Sequence, residues 1–190
     1  RMIKINNYWK VNKRFIEGGA SSKIKNTAYY VDKFENLLDK SIRGQLIADV
    51  PVGILLSGGL DSSLITAIAS KHQKKLKTFT VTFPGEPKFN EKKHANLIAD
   101  HFNTEHFELS ADSIKPEIVN ELTQYYDEPL GDPSMIPTYL ISKLVKRHCK
   151  VVLGGDGADE LFLGYPSFEK KIFQERYFQY IPLSARLMLS

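Results

Sequence analysis

The residues best equipped for chemistry fall in two glycine-rich, acidic loops. The first is Ser57-Gly58-Gly59-Leu60-Asp61-Ser62-Ser63. Its glycines can take backbone conformations closed to other residues and let a ligand approach the main chain closely. An apolar helical pattern begins directly after the loop, so the free N–H groups of a helix start converge with those of the loop on one anion-sized spot. Hydroxyls from Ser57, Ser62 and Ser63 add donors. Asp61 would repel a phosphate held there unless a cation lay between them, which points to Mg²⁺ bridging to phosphate oxygens. A bare Gly-Gly would read as a tight turn with serines capping a helix. The full string, set between a strand-like run and an apolar helix, points instead to phosphate binding. It is neither the GxxxxGK[ST] phosphate loop nor the dinucleotide GxGxxG.

The second loop runs Gly154-Gly155-Asp156-Gly157-Ala158-Asp159-Glu160-Leu161-Phe162-Leu163-Gly164-Tyr165. Three carboxylates among four glycines exceed what a turn requires, although a solvated acidic turn is the plain alternative. Asp156 and Asp159 suit a metal or a reacting group, and Leu161 and Phe162 are expected to anchor the segment in the core.

Both loops need strand ends to hold them. Val50 to Leu56, Lys77 to Phe83, Glu105 to Leu109 and Lys150 to Leu153 are short runs of strand length. Between them lie helical patterns. Residues 27–46 place Tyr30, Phe34, Leu37, Leu38, Ile42 and Leu46 at three- and four-residue spacing, and Leu64 to Ser70 is apolar. Asn90 is the expected N-cap of a helix carrying Ala95, Ile98, Ala99 and Phe102. Helices are expected over 113–126 and 134–148, the latter with Ile141, Leu144, Val145 and His148 inward. Strands alternating with helices predict an α/β fold, a three-layer doubly wound parallel sheet with helices on both faces. Ligands collect at the carboxyl ends of such strands, where both loops fall.

Composition narrows the class. The 190 residues suffice for one domain with a real core, and 42% hydrophobic with 25% charged residues is ordinary for a globular protein. No run approaches the roughly 20 apolar residues of a membrane helix, which gives the expectation of no membrane partner and a cytoplasmic site of action. The single cysteine, Cys149, excludes an internal disulfide and paired-thiolate zinc; it reads as a core or near-core thiol. The histidines show no metal-ligand spacing. Tyr125, Tyr126, Tyr177, Phe178 and Tyr180 read as helix packing rather than base stacking, and the lysines are scattered, so no nucleic-acid partner is expected.

The first loop resembles the SGGxDS signature of the PP-loop ATP pyrophosphatases. The second resembles the SG(E/D)G(S/A/G)DE(L/V)FGGY segment of the glutamine-dependent asparagine synthetase family. Asp49-Val50-Pro51-Val52-Gly53, Thr78-Phe79-Thr80-Val81, Tyr126-Asp127-Glu128-Pro129 and Ile136-Pro137-Thr138-Tyr139-Leu140 match further segments of that family in the same order. The resemblance implies the adenine nucleotide alpha hydrolase-like fold and a carbon–nitrogen ligase using ATP and Mg²⁺. The implied substrate carboxylate, aspartate, attacks the α-phosphorus of ATP to give an acyl-adenylate and pyrophosphate. Ammonia released from glutamine by the protein's own glutaminase domain then displaces AMP. At matching positions, Ser57, Gly58, Gly59, Asp61, Ser62 and Ser63 would hold the pyrophosphate. Leu56, Val81, Gly154 and Gly155 would frame the adenosine, Asp61 and Asp159 would bind Mg²⁺, and Asp156 would act in forming and consuming the adenylate.

The resemblance also implies that residues 1–26 are a leader or linker from a glutaminase domain. Residues 27–190 would then be the ATP-binding part of a synthetase domain whose remainder lies elsewhere, inactive alone and a homodimer candidate when full length. Asp156 stands where asparagine synthetases proper carry glutamate, and Leu163 where the family usually has glycine. The Gly-Asp-Gly form keeps open a different acceptor carboxylate, such as a uronic acid of surface polysaccharide. A PP-loop enzyme acting on tRNA is a further alternative.

Overall fold

The computed structural model describes residues 4–7, 26–85, 91–111, 117–126, 128, 131–132 and 134–178. The leader at 1–26 therefore lies almost wholly outside the described residues, as do the expected cap Asn90, the start of the helix expected from 113, and Tyr180. The chain groups into two compact units, Arg1–Ser41 and Ile42–Ser190. This division falls inside helix α1 (Thr27–Gln45) rather than ahead of it. In the first unit Tyr30, Phe34 and Leu37, expected on a buried stripe, are exposed. They belong to the unit that lacks the sheet.

The second unit alternates strand and helix. Its elements are β1 (Val52–Leu55), α2 (Leu60–His72), β2 (Lys77–Thr82), α3 (Lys92–His101), β3 (Glu105–Ser110), α4 (Glu117–Leu122), α5 (Met135–Val145), β4 (Val151–Leu153), α6 (Ala158–Phe162) and α7 (Pro166–Phe178). The sheet order is β3-β2-β1-β4 and every pairing is parallel. Parallel neighbours need crossovers, which α2, α3 and the α4–α5 segment supply.

Alternation along each strand sorts residues to two faces. Leu56 packs with Ala95 and Ala99 of α3 on one face. On the other, Phe79 packs with Leu144, Val145 and Cys149 at the end of α5, joined by Leu55, Phe107 and Val152. Helices thus cover both faces, as the doubly wound three-layer reading requires. Burial pushes the Cys149 thiol above its ordinary pKa, in keeping with an inert core thiol. His148 lies in the turn after α5 rather than on the helix, its ring 3.8 Å from that of Phe107.

Strand β2 buries Thr78, Thr80 and Thr82, which the β-branched pattern marked as strand but not as core. A buried hydroxyl needs a partner, and each has one. Thr78 bonds the Nδ1 of His106 at 2.8 Å, Thr80 donates to the Leu56 carbonyl, and Thr82 donates to the Leu109 carbonyl.

Gly53 marks where the second face is tightest. A Cβ there would meet the Phe79 ring at 2.5 Å and the Cys149 sulfur at 3.1 Å. We expect Gly53→Ala to lower stability by about 1–3 kcal/mol through overpacking, read as an unchanged m-value with a lower denaturation midpoint in urea.

Candidate active site

Strand β1 sits inside the sheet, with β2 and β3 added on one side and β4 on the other. The carboxyl ends of β1 and β4 therefore flank a topological switch point, where the chains leaving the two strands turn apart and open a crevice. A pocket of about 240 Å³ occupies it. From the β1 side it is lined by Leu55, Ser57, Gly59, Asp61 and Ser62, and from the β4 side by Gly154, Gly155 and Asp156. The two glycine loops thus face each other across one cavity. Its volume lies below the roughly 300–1,000 Å³ of a whole small-molecule site, so it is sized for part of a ligand.

The first loop is tied by its serines. The Ser57 and Ser62 hydroxyls share a hydrogen bond of 3.0 Å. Gly59 N–H donates to the Ser57 Oγ at 3.2 Å, and the Ser62 hydroxyl donates to the Gly59 carbonyl at 3.2 Å. Gly58 takes φ +86°, and a Cβ there would lie 2.7 Å from the Ala95 nitrogen and from the His94 Cβ. This position needs glycine for its conformation and for the close pass against the start of α3. Across the pocket, a Cβ on Gly155 would come 3.0 Å from the Asp61 Cβ. The two loops are in contact because that glycine is bare.

Not every sequence-marked residue reaches the cavity. Leu56 is buried in the α3 layer, and its neighbour Leu55 lines the pocket instead. Gly58 backs onto α3, Ser63 donates its N–H to the Gly59 carbonyl, and Val81 stands on β2 outside the lining. Asp159 also stays outside; its carboxylate packs against Gly164. The expected anchors Leu161 and Phe162 are 77% and 62% exposed. They cannot anchor, since α6 has five residues and buries none of them.

Tyr165 is a residue the sequence reasoning passed over. Its hydroxyl donates to the Glu160 carboxylate at 2.6 Å. That bond, loss of solvent and the nearby carboxylates of Glu160, Asp159 and Asp156 push the phenol up to about 12, while the same bond holds Glu160 below the usual carboxylate range.

Among the described residues no group of three or more His, Cys, Asp or Glu side chains is placed to hold a metal by itself. Magnesium seldom needs such a cage, being held by one or two carboxylates with phosphate oxygens and water. Asp61 and Asp156 on the pocket wall, beside the Ser57 and Ser62 hydroxyls, fit that donor set.

The asparagine synthase family model matches residues 33–190, a span that takes in both loops. The chain belongs to the asparagine synthase family. A putative glutamine-hydrolysing asparagine synthetase of Mycobacterium tuberculosis is 36% identical over 181 residues, covering 93% of this chain and 27% of that protein. Asparagine synthetase 1 of Bacillus subtilis is 36% identical over 162 residues, covering 84% of this chain and 25% of that one. The chain thus spans about a quarter of the length of the curated relatives it matches. Among solved structures, an NH3-dependent NAD synthetase from Campylobacter jejuni aligns over 70% of this chain and 60% of its own, with TM-score 0.48 and 19% identity.

Two outcomes are expected for this family member's site. Gly58→Ala forces a β-carbon into the left-handed region, costing about 1–2 kcal/mol in the backbone alone, and pushes the loop off α3. A lowered thermal midpoint together with lost nucleotide binding checks this. For Tyr165, the raised pKa stabilises the fold fully below the ordinary value of 10, and this contribution fades as pH rises through about 12. For Glu160 the sign is opposite, its contribution fading as pH falls through its lowered pKa. Titration followed by tyrosinate absorbance should show the last-ionising phenol vanish in Tyr165→Phe and move back toward about 10 in Glu160→Gln.

Proposed function

We propose that this chain is the ATP-binding part of a synthetase that activates a carboxylate by adenylation and transfers the acyl group to ammonia. The observation that carries this reading is the meeting of two glycine loops at the β1/β4 switch point, with Asp61 and Asp156 on the wall of the same cavity as the serine-rich loop. The length of the relatives supports reading residues 27–190 as part of a longer synthetase domain, with residues 1–26 leading from a glutaminase domain. The single cysteine and the lack, among the described residues, of a helix long and apolar enough to cross a membrane support action in the cytoplasm.

A carboxylate is a poor electrophile, so an amide cannot form until oxygen is given a leaving group. The carboxylate oxygen bonds to the α-phosphorus, the bond to the bridging oxygen breaks, and pyrophosphate departs. Ammonia then attacks the acyl carbon, AMP leaves, and the nitrogen releases a proton. Negative charge gathers on the departing pyrophosphate in the first step. N–H groups and hydroxyls already held in place by Ser57, Gly59 and Ser62 stabilise it without reorganisation. Bound Mg²⁺ would neutralise phosphate charge, with Asp61 and a carboxylate of the second loop as its protein ligands. Asp156, at the mouth of β4, stands where the acyl group meets its partners.

The acceptor we favour is aspartate, with asparagine as product. A different carboxylate is the second reading, favoured by Asp156 in place of glutamate. The test is ATP–pyrophosphate exchange by the full-length protein with Mg²⁺. Aspartate-dependent exchange and asparagine formation support the first reading. Exchange with a uronate but not aspartate selects the second, and no exchange with any carboxylate refutes adenylation. Asp61→Asn is expected to lower exchange about a hundredfold or more, whereas single loop serines, which back one another up, should cost less.

A further inference from the structure

The second loop poses a physical problem. Helix α6 has five residues, none of them buried. A helix so short cannot hold itself together in water, because few of its hydrogen bonds repay the cost of nucleation. Nor does apolar packing hold it, since Leu161 and Phe162 face solvent. Yet the turn immediately before it carries Asp156 to the pocket wall.

What ties α6 is polar and local. Gly157 starts it at φ +89° and Leu163 ends it at φ +60°. Gly164 N–H donates to the Asp159 carbonyl at 3.0 Å, closing the last turn. The Tyr165 hydroxyl then reaches back across that turn to Glu160 at 2.6 Å, while its ring meets Phe168 of α7 at 5.6 Å between centroids. Leu163 sits in a region uncomfortable for a branched side chain, so the reversal it makes needs an interaction to hold it.

We propose that Tyr165 is a positioning residue: its hydrogen bond to Glu160 clasps α6 to α7 and so fixes how Asp156 meets the pocket. The clasp touches no substrate. It acts through the short helix, and the inference rests on reading the pocket as the Mg-ATP site. Partners that orient ligating groups from behind commonly change metal affinity about 10–100-fold when removed. An exposed clasp belongs at the lower end of that range.

Two measurements on the full-length protein decide it. In the first, Mg-ATP is titrated calorimetrically into wild type, Tyr165→Phe, Glu160→Ala and Glu160→Gln. Tyr165→Phe and Glu160→Ala should each weaken binding about tenfold and, combined, lose no more than either alone. Glu160→Gln keeps an acceptor oxygen and should retain most of the affinity. Wild-type affinity in Tyr165→Phe overturns the clasp. Equal losses in Glu160→Gln and Glu160→Ala, tracking a lower unfolding midpoint, also overturn it in favour of general destabilisation. The second measurement needs no nucleotide: amide exchange over residues 154–162 should quicken in Tyr165→Phe while that of β1 and β2 stays unchanged. Unaltered exchange there refutes the clasp. Wild type failing to bind Mg-ATP refutes the reading of the pocket instead, and amide exchange still judges the clasp.

Discussion

The site depends on how the backbone of Leu56 is held. Its N–H donates to the Phe79 carbonyl at 2.9 Å, and its carbonyl accepts the hydroxyl of Thr80. Its side chain is buried against Ala95 and Ala99. All three attachments lie one residue before Ser57, so the phosphate loop leaves a fixed point. A backbone group left unpaired at that depth would cost about 1–3 kcal/mol, and this is why β2 buries threonine where an aliphatic residue would pack equally well. The hydroxyl supplies at the strand end the bond that the regular ladder no longer reaches.

From that fixed point, close approach sets the geometry. Gly58 lets the loop press on the start of α3, and Gly155 lets the β4 loop press on Asp61. The loop is thereby held between two neighbours that lack the room to yield. Its serines consume much of their hydrogen-bonding capacity on one another, which leaves the site rigid before a ligand arrives. Preorganisation of that kind is what electrostatic catalysis requires, because donors that need not turn lose nothing when charge develops. The electrostatics pull the other way around Asp61 and Asp156. Two carboxylates beside an anion site make sense only with a cation to share, so the same cavity favours a metal-bound polyphosphate over a free one.

Much of this was legible in the sequence because it is written in local chemistry. Glycine pairs, serines and aspartates mark the loops, and strand-length apolar runs alternating with helical periodicity give the parallel sheet. What escaped depends on relations between segments. Leu55 rather than Leu56 lines the pocket, since a strand's alternation gives two faces without saying which one the cavity meets. Leu161 and Phe162 looked like anchors because apolar residues usually are, but nothing in a linear pattern tells that α6 has no layer above it. Tyr165 was invisible for a related reason. A tyrosine five residues after a glutamate has no regular periodicity to advertise it, and the pair meets only because Leu163 turns the chain through the left-handed region. Thr78 and His106, far apart in the chain, are partners through strand register alone.

Asp156 carries the remaining question of specificity. A Cβ on Gly154 would lie 2.9 Å from an Asp156 carboxylate oxygen, so this side chain folds back over the strand end instead of extending across the cavity. A glutamate at the same position would carry its charge about one carbon–carbon bond further, roughly 1.5 Å. Within a cavity of about 240 Å³, that step separates a carboxylate lying along the wall from one that protrudes among the reactants. Geometry at this scale matters in catalysis, where an ångström of misplacement costs orders of magnitude in rate. With aspartate, the wall recedes and the space beside the reacting carboxyl grows. The residue that keeps Asp156 in this register is therefore as much a determinant of the acceptor as Asp156 itself. The bare face of Gly154, which the folded-back carboxylate needs, belongs to the same specificity element.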